Sequence, residues 1–306
     1  MEELIEYLKS ELKIDNTKFL EKDVLLHRIL VRLMKTCFKD DYAFKGGTCL
    51  TKCYLGYYRF SEDMDFTYIH QDELVGKSSK QLRKFFSKKI DEVIGSLVPI
   101  ADELGLDFKP EKSNSRYFMF GGNNKFTTFK IWYKNVQEDK EDFLKLQINF
   151  YEILINKVKI VTAKSLYESL SKRDLGILFP EFIDIMDEVE LNAYSLEEIF
   201  LEKIRAILTR RGTKSRDYID LYLIKKKVSI DFEKEEDNIL RKIRFMLVYD
   251  KYLQNLSVVK PEKLILDEEE NLLLEPLDKS FKAFLPDFFE YLKSLEEKLL
   301  EERTIS

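Results

Sequence analysis

Two kinds of hydrophobic spacing divide this sequence, and their order limits what it can fold into. Alternation of the kind that suits half-buried strands is confined to residues 42–163. It appears in "YAFK", "MDFTYI", "KFTTFKIWYKN", "DFLKLQINFYEI" and "KVKIVTA". In the fourth of these Phe143, Leu144, Leu146, Ile148 and Phe150 carry it. Helical spacing surrounds these segments. Residues 1–38 carry it, with Leu25, Ile29, Leu30, Leu33 and Met34 on one face, as do 48–56 and 77–104. After residue 164 the pattern is almost wholly helical, over 164–172, 195–211, 215–227, 233–256 and 279–302. The expected fold is α+β: N-terminal helices and a small mixed sheet in residues 1–163, with the last strand near 163, then a helical region, 164–306, expected to complete the active site.

Composition narrows the class. The chain has 306 residues, 44% hydrophobic and 35% charged, enough for one large domain or two smaller ones. No apolar run reaches the ~18 residues of a membrane span, and the N-terminal "MEELIEYLKSELKID" is acidic and amphipathic, unlike a signal peptide. Cys37, Cys49 and Cys53 are an odd set in a long chain, which suggests reduced thiols and a cytoplasmic protein. A net charge of −5 argues against a surface generally adapted to nucleic acid, while leaving room for a local basic patch. His27 and His70 have no zinc spacing, and Cys49 with Cys53 supplies only two ligands.

Three features bear on chemistry. In "FKGGTCLTKCYLGYYRFSEDMDF" Asp63 and Asp65 stand at i and i+2 on a predicted strand and so share a face. Their repulsion is relieved either by a shared divalent cation, for which oxygen ligands suit Mg²⁺, or by exposure in a solvated acidic turn. Gly46 and Gly47 follow a strand, where backbone N–H groups can approach a phosphate. Next, Lys203 falls among Leu196, Ile199, Phe200 and Ile207 on a helical wheel, with Glu198, Glu202, Arg205 and Thr209 opposite. An ammonium there must snorkel or find an anion. Ser195 and Glu198 have the spacing of a capping box. Finally, Asp217 lies on the apolar face of "SRDYIDLYLI" with Asp220 at its border. Lys203 is a good partner for Asp217, and a structural ion pair suits Asp220.

With these residues in order, the chain resembles the AbiEii/AbiGii toxin nucleotidyltransferases, which include the MenT toxins. The resemblance covers roughly residues 20–226 and rests on "KGGTCLTKCYLGYYRFSEDMDF" followed by "SLEEIFLEKIRAILTRRGTKSRDYIDLYLI". It implies a DNA polymerase β-type nucleotidyltransferase fold and transfer of a nucleoside monophosphate from an NTP. An RNA acceptor, the tRNA 3′ end, is implied, as are toxicity through blocked translation and a cognate antitoxin. By position, Gly46, Gly47 and Thr48 are the phosphate turn, and Asp63 and Asp65 hold Mg²⁺, with Mn²⁺ as an alternative. Ser61 lies near the triphosphate, Lys203 and Asp217 are essential, and Arg59 either contacts phosphate or braces the turn. The strand that carries a third carboxylate in the broader superfamily offers Gln147 and Asn149 here, and no acid before Glu152.

Basic clusters are the expected RNA contacts: Arg210, Arg211 and Lys214 in "TRRGTK", and Arg83 and Lys84 with Lys80 and Lys88 on the 77–104 helix. The aromatic "FTTFKIWYKN" reads as sheet packing rather than a base-stacking platform, and Glu62 as a solvent-facing neighbour of the acid pair. A monomer without membrane attachment is expected. A protein or small-molecule acceptor, or a non-catalytic NTP-binding module, is the alternative.

Overall fold

The computed structural model describes residues 1–212, 214–258, 272–274 and 276–304. Half of the stretch 267–278, whose charged start reads as a linker, lies outside these. The chain forms two compact units, one of residues 1–152 and 158–193, the other of 153–157 and 194–306.

The first unit holds helices α1 (Glu2–Leu12), α2 (Thr17–Leu33), α3 (Phe38–Asp41), α4 (Gly46–Cys49), α5 (Ser79–Leu104) and α6 (Lys172–Leu178). Its strands are β1 (Tyr42–Lys45), β2 (Asp63–Tyr68), β3 (Phe118–Gly121), β4 (Phe126–Lys134), β5 (Glu141–Asn149), β6 (Lys159–Ala163) and β7 (Val189–Ala193). They form one seven-stranded sheet in the order β3-β4-β5-β2-β1-β7-β6. β2 runs parallel to β5 and β1 parallel to β7, and the other neighbours are antiparallel.

Side-chain alternation gives the sheet two unlike faces. Phe44 stands opposite Phe66, Met64 beside Leu146 and Leu146 beside Phe129, all buried. Phe38 packs edge-on against Phe66 at 5.0 Å, and Phe86 of α5 meets Phe150 at 6.1 Å. The other face carries Lys45, Asp63, Asp65, Lys145, Gln147, Thr128 and Lys130. α5 begins in a capping box of Ser78 and Gln81 and ends at Gly105, whose φ of +67° supplies the left-handed cap.

The second unit contains α7 (Leu196–Thr209), α8 (Ser215–Val228), α9 (Phe232–Leu247), α10 (Asp250–Leu256) and α11 (Ser280–Thr304). The segment 153–157 is tied into it by a buried ion pair. Lys242 Nζ lies 2.7 Å from Glu198 Oε1 and donates to the Ile153 carbonyl at 2.5 Å, while Glu198 accepts from the backbone N–H of Asn156 at 2.8 Å.

Several sequence expectations change. The last strand is β7, not one near 163, and its pattern is evident in retrospect: Val189, Leu191 and Ala193 are buried while Glu190 is exposed. Residues 164–171 form turns, and the helix there is α6. β3 was not foreseen, and 233–256 breaks into α9 and α10. Ser195 does cap α7, accepting from Glu198 N–H at 3.2 Å, but the Glu198 side chain serves the 153–157 segment instead of closing a capping box. Glu198, Arg205 and Thr209, placed by the wheel opposite the apolar stripe, are buried as well, because α7 is packed nearly all round.

Candidate functional site

The helix predicted from residue 48 begins at Gly46, so the Gly-Gly pair forms the first residues of α4 and follows β1 directly. The chain continues from α4 into one π-helical stretch, Leu50–Leu55, and turns back through Gly56, bringing Arg59 and Ser61 to the start of α4. Both glycines are required by close approach. A side chain on Gly46 would meet the Asp65 carboxylate, with Cγ 3.1 Å away, and Gly46 also holds φ at +75°. A side chain on Gly47 would meet the Arg59 guanidinium, with Cζ at 3.3 Å, and Ser61 Oγ at 3.0 Å. Thr48 Oγ1 is hydrogen-bonded to Ser61 Oγ at 2.8 Å and donates to the Asp63 carbonyl. Arg59, 2% exposed, donates to the Phe60 carbonyl at 2.8 Å. Gly46, Gly47, Thr48, Arg59, Ser61, Asp63 and Asp65 therefore form one constellation, with the helix start against the acid pair.

Asp63 and Asp65 share the half-exposed face of β2, while Met64 and Phe66 between and beyond them are buried. Two lysines absent from the sequence reading flank them. Lys45 is the cross-strand partner of Asp65, which sets both side chains on one face. Lys145 is the β5 partner of Asp63, with Nζ 3.4 Å from Asp63 Oδ1. Neither is close in sequence to the acid it faces in a way that spacing reveals, since only the strand register joins them. Gln147 is the β5 partner of Asp65. Glu152 lies beyond the end of the pairing, its N–H donating to Gln71 Oε1 at 3.0 Å, and does not join the pair. Glu62 is not a bystander: it accepts from the largely buried Lys22 at 3.0 Å.

The acid pair fits a divalent metal. Both donors are hard oxygens on one accessible face beside a helix start, and one or two carboxylates completed by phosphates and water is the usual protein share for Mg²⁺. Among the described residues no group of three or more His, Cys, Asp or Glu is placed to hold a metal; Asp63 and Asp65 could supply two carboxylate ligands.

The second unit has its own charged centre. Lys203 Nζ lies 2.9 Å from Asp217 Oδ1 and 2.6 Å from Asp220 Oδ2, and Arg210 Nη1 lies 2.7 Å from Asp217 Oδ2. The pairing of Lys203 with Asp217 is the one the wheel suggested, and Asp220 is indeed an ion-pair residue. Burial pushes the Asp217 carboxyl up, but the charges of Lys203 and Arg210 outweigh it and hold it below the usual carboxylate range. Of the basic residues expected to meet RNA, Arg210 is engaged with Asp217, whereas Arg211, Lys214, Arg83 and Lys84 are exposed. The "FTTFKIWYKN" strand divides: Phe129, Ile131 and Tyr133 are core, but Phe126, Lys130 and Trp132 lie on the half-exposed face with Asp63. No helix is long and apolar enough to cross a membrane among the described residues.

Comparison with known proteins identifies the family and the fold. The family model described as nucleotidyl transferase AbiEii toxin, type IV TA system, matches residues 28–301. MenT4, a nucleotidyltransferase toxin of Mycobacterium tuberculosis H37Rv, has a similar structure: TM-score 0.61, 17% identity, covering 98% of this chain and 92% of that one. JHP933 of Helicobacter pylori aligns at a TM-score of 0.43 and 17% identity, over 94% of this chain and 95% of its own. No curated protein matches. At 17% identity MenT4 supports the fold, and the family match supports the activity class. The chain belongs to the AbiEii family of nucleotidyltransferase toxins of type IV toxin–antitoxin systems.

Proposed function

We propose that this toxin transfers a nucleoside monophosphate from an NTP to an RNA acceptor, the tRNA 3′ end being the expected target, and thereby stops translation. The observation that carries the reading is the packing of the Gly46–Thr48 helix start against Asp63 and Asp65. Backbone N–H groups at this start would receive the triphosphate. Thr48 and Ser61 hold the turn against β2, and Arg59 braces it over Gly47. Asp63 and Asp65 would hold Mg²⁺, or Mn²⁺ in its place, which when bound neutralises phosphate charge. The acceptor oxygen forms a bond to the α-phosphorus, the bond from that phosphorus to the bridging oxygen breaks, and pyrophosphate leaves with the electron pair. The hydroxyl proton is released to water. For Lys203 and Asp217 the family pattern and their ion pair support an essential part. An antitoxin partner, a cytoplasmic location and a monomeric state belong to the same proposal.

The test is labelling of a cell lysate with each of the four α-³²P NTPs, comparing wild type with Asp63→Ala and Lys203→Ala. Label in RNA from one NTP, absent in both variants, is the expected result. Variants that label like wild type defeat the site assignment, and label in protein or small molecules defeats the RNA acceptor.

A further inference from the structure

The sheet face beside the acid pair is built unlike an ordinary solvent face. Lys145 of β5 and Lys130 of β4 are directly opposed cross-strand partners, and like charges in that position repel. Both ammonium groups converge over the Phe143 ring, at 5.7 and 5.6 Å from its centroid. Lys130 donates to the Ser115 carbonyl at 3.1 Å and, as an ammonium, has three donors in all. The neighbouring row runs Asp65, Gln147, Thr128, Met119 across four strands. Thr128 in that row is buried, its hydroxyl without a hydrogen-bond partner. Met119 is 50% exposed. At the far edge the charge is balanced, since Arg116 stacks over Trp132 at 4.1 Å and bridges Asp107 and Glu141. Nearest the acid pair Lys145 is itself shared with Asp63 at 3.4 Å, so the added positive charge on this face is that of Lys130, held by the Ser115 carbonyl.

Direction follows from the chemistry. In-line displacement sets the attacking oxygen and the leaving pyrophosphate on opposite sides of the phosphorus. The turn proposed to receive the triphosphate follows β1, and an acceptor on the other side of β2, over β5, suits that in-line arrangement. We infer that the β5–β4 face is the track of the acceptor: a single-stranded RNA 3′ end whose terminal ribose meets Gln147 and whose next phosphates rest on Lys145 and Lys130. Neighbouring strands lie about 4.8 Å apart, so Lys130 is about 10 Å from the Asp63 strand, within reach of the linkages just behind the end. An amide beside the terminal ribose can bond the 2′-hydroxyl that separates RNA from DNA. This inference rests on the nucleotidyltransferase reading and specifies where its acceptor lies.

The experiment is equilibrium binding of a fluorescent, mixed-sequence 20-nucleotide RNA with a free 3′ hydroxyl to the full chain, across a salt series, for wild type, Lys130→Glu and Lys130→Gln. Binding of labelled NTP with Mg²⁺ is measured in parallel. Lys130→Gln is expected to weaken RNA binding severalfold and to lower the salt slope by about 1, and Lys130→Glu to weaken it further, with NTP binding unchanged in both. Unchanged RNA affinity and slope in a folded Lys130→Gln overturns the track, as does equal affinity for the same sequence as DNA, or label appearing in protein. Wild type that binds no NTP defeats the underlying nucleotidyltransferase reading instead, which keeps the two failures distinct.

Discussion

The Asp65 carboxylate lies over Gly46 so closely that a methyl group there would stand 3.1 Å from its Cγ. The first residue of the helix and one proposed metal ligand thus share a space that only hydrogen can leave open. Gly46→Ala must displace Asp65 and also strain a backbone held at φ +75°. It is expected to lower stability by about 1–3 kcal/mol and to reduce labelling at least tenfold. Thermal melts beside the NTP-labelling assay measure both, and an alanine variant as stable and active as wild type would refute the close packing.

Lys203 neutralises two buried acids, so its loss and the loss of its chemistry can be separated. Lys203→Met leaves Asp217 and Asp220 without it and is expected to cost about 3–5 kcal/mol. Adding Asp220→Leu removes one stranded charge and should recover part of that stability in chemical denaturation, while labelling stays absent. Recovery of labelling in the double variant would show that Lys203 is structural only.

His27 predicts an acid transition. Burial, helped by the nearby Lys52 charge, pushes its pKa down to about 4. Its Nε2–H donates to the Asp187 carbonyl at 2.8 Å, and Lys52, paired with Asp23 at 2.9 Å, faces Nδ1. A group whose folded pKa is depressed below its unfolded value near 6.5 binds more protons when unfolded. Its contribution is fully present above about 6.5 and is lost as pH falls toward 4, at most about 3 kcal/mol. Denaturation midpoints measured at pH 7, 6 and 5 should fall in wild type and less steeply in His27→Gln. Parallel slopes would assign the transition to other groups.

Glu198 and Lys242 are expected to secure the 153–157 segment. Lys242→Met leaves a buried carboxylate unpaired and should cost about 3–5 kcal/mol. Amide exchange at Ile155 and Asn156 should speed up more than exchange in α8. Uniform acceleration across the second unit would mean that the pair stabilises the bundle generally.

The legible parts were those encoded by local period. Asp63 and Asp65 share a face because side chains alternate, and Lys203 and Asp217 meet because each stood out on an apolar helical face. What escaped was set by pairing between distant segments. Lys45 and Lys145 look like ordinary surface lysines until the register of β1 and β5 sets them beside the acids. Glu198 fits a cap by spacing, yet the 153–157 backbone competes for it and wins. β7 was missed because five residues barely exceed the noise of a helical neighbourhood, and β3, with two exposed hydrophobics in four residues, shows no clean alternation.

The strand order also governs when, during synthesis, this toxin can become harmful. β2 carries the acids by residue 65, but its parallel partner β5 is not complete until 149, and β1 gains β7 only at 193. Such long-separated pairings form late and slowly, so a nascent chain bears its acid pair well before it bears a finished sheet. A chain terminated before residue 141 therefore holds the Gly-Gly turn and both aspartates without the strand that flanks them in the finished sheet.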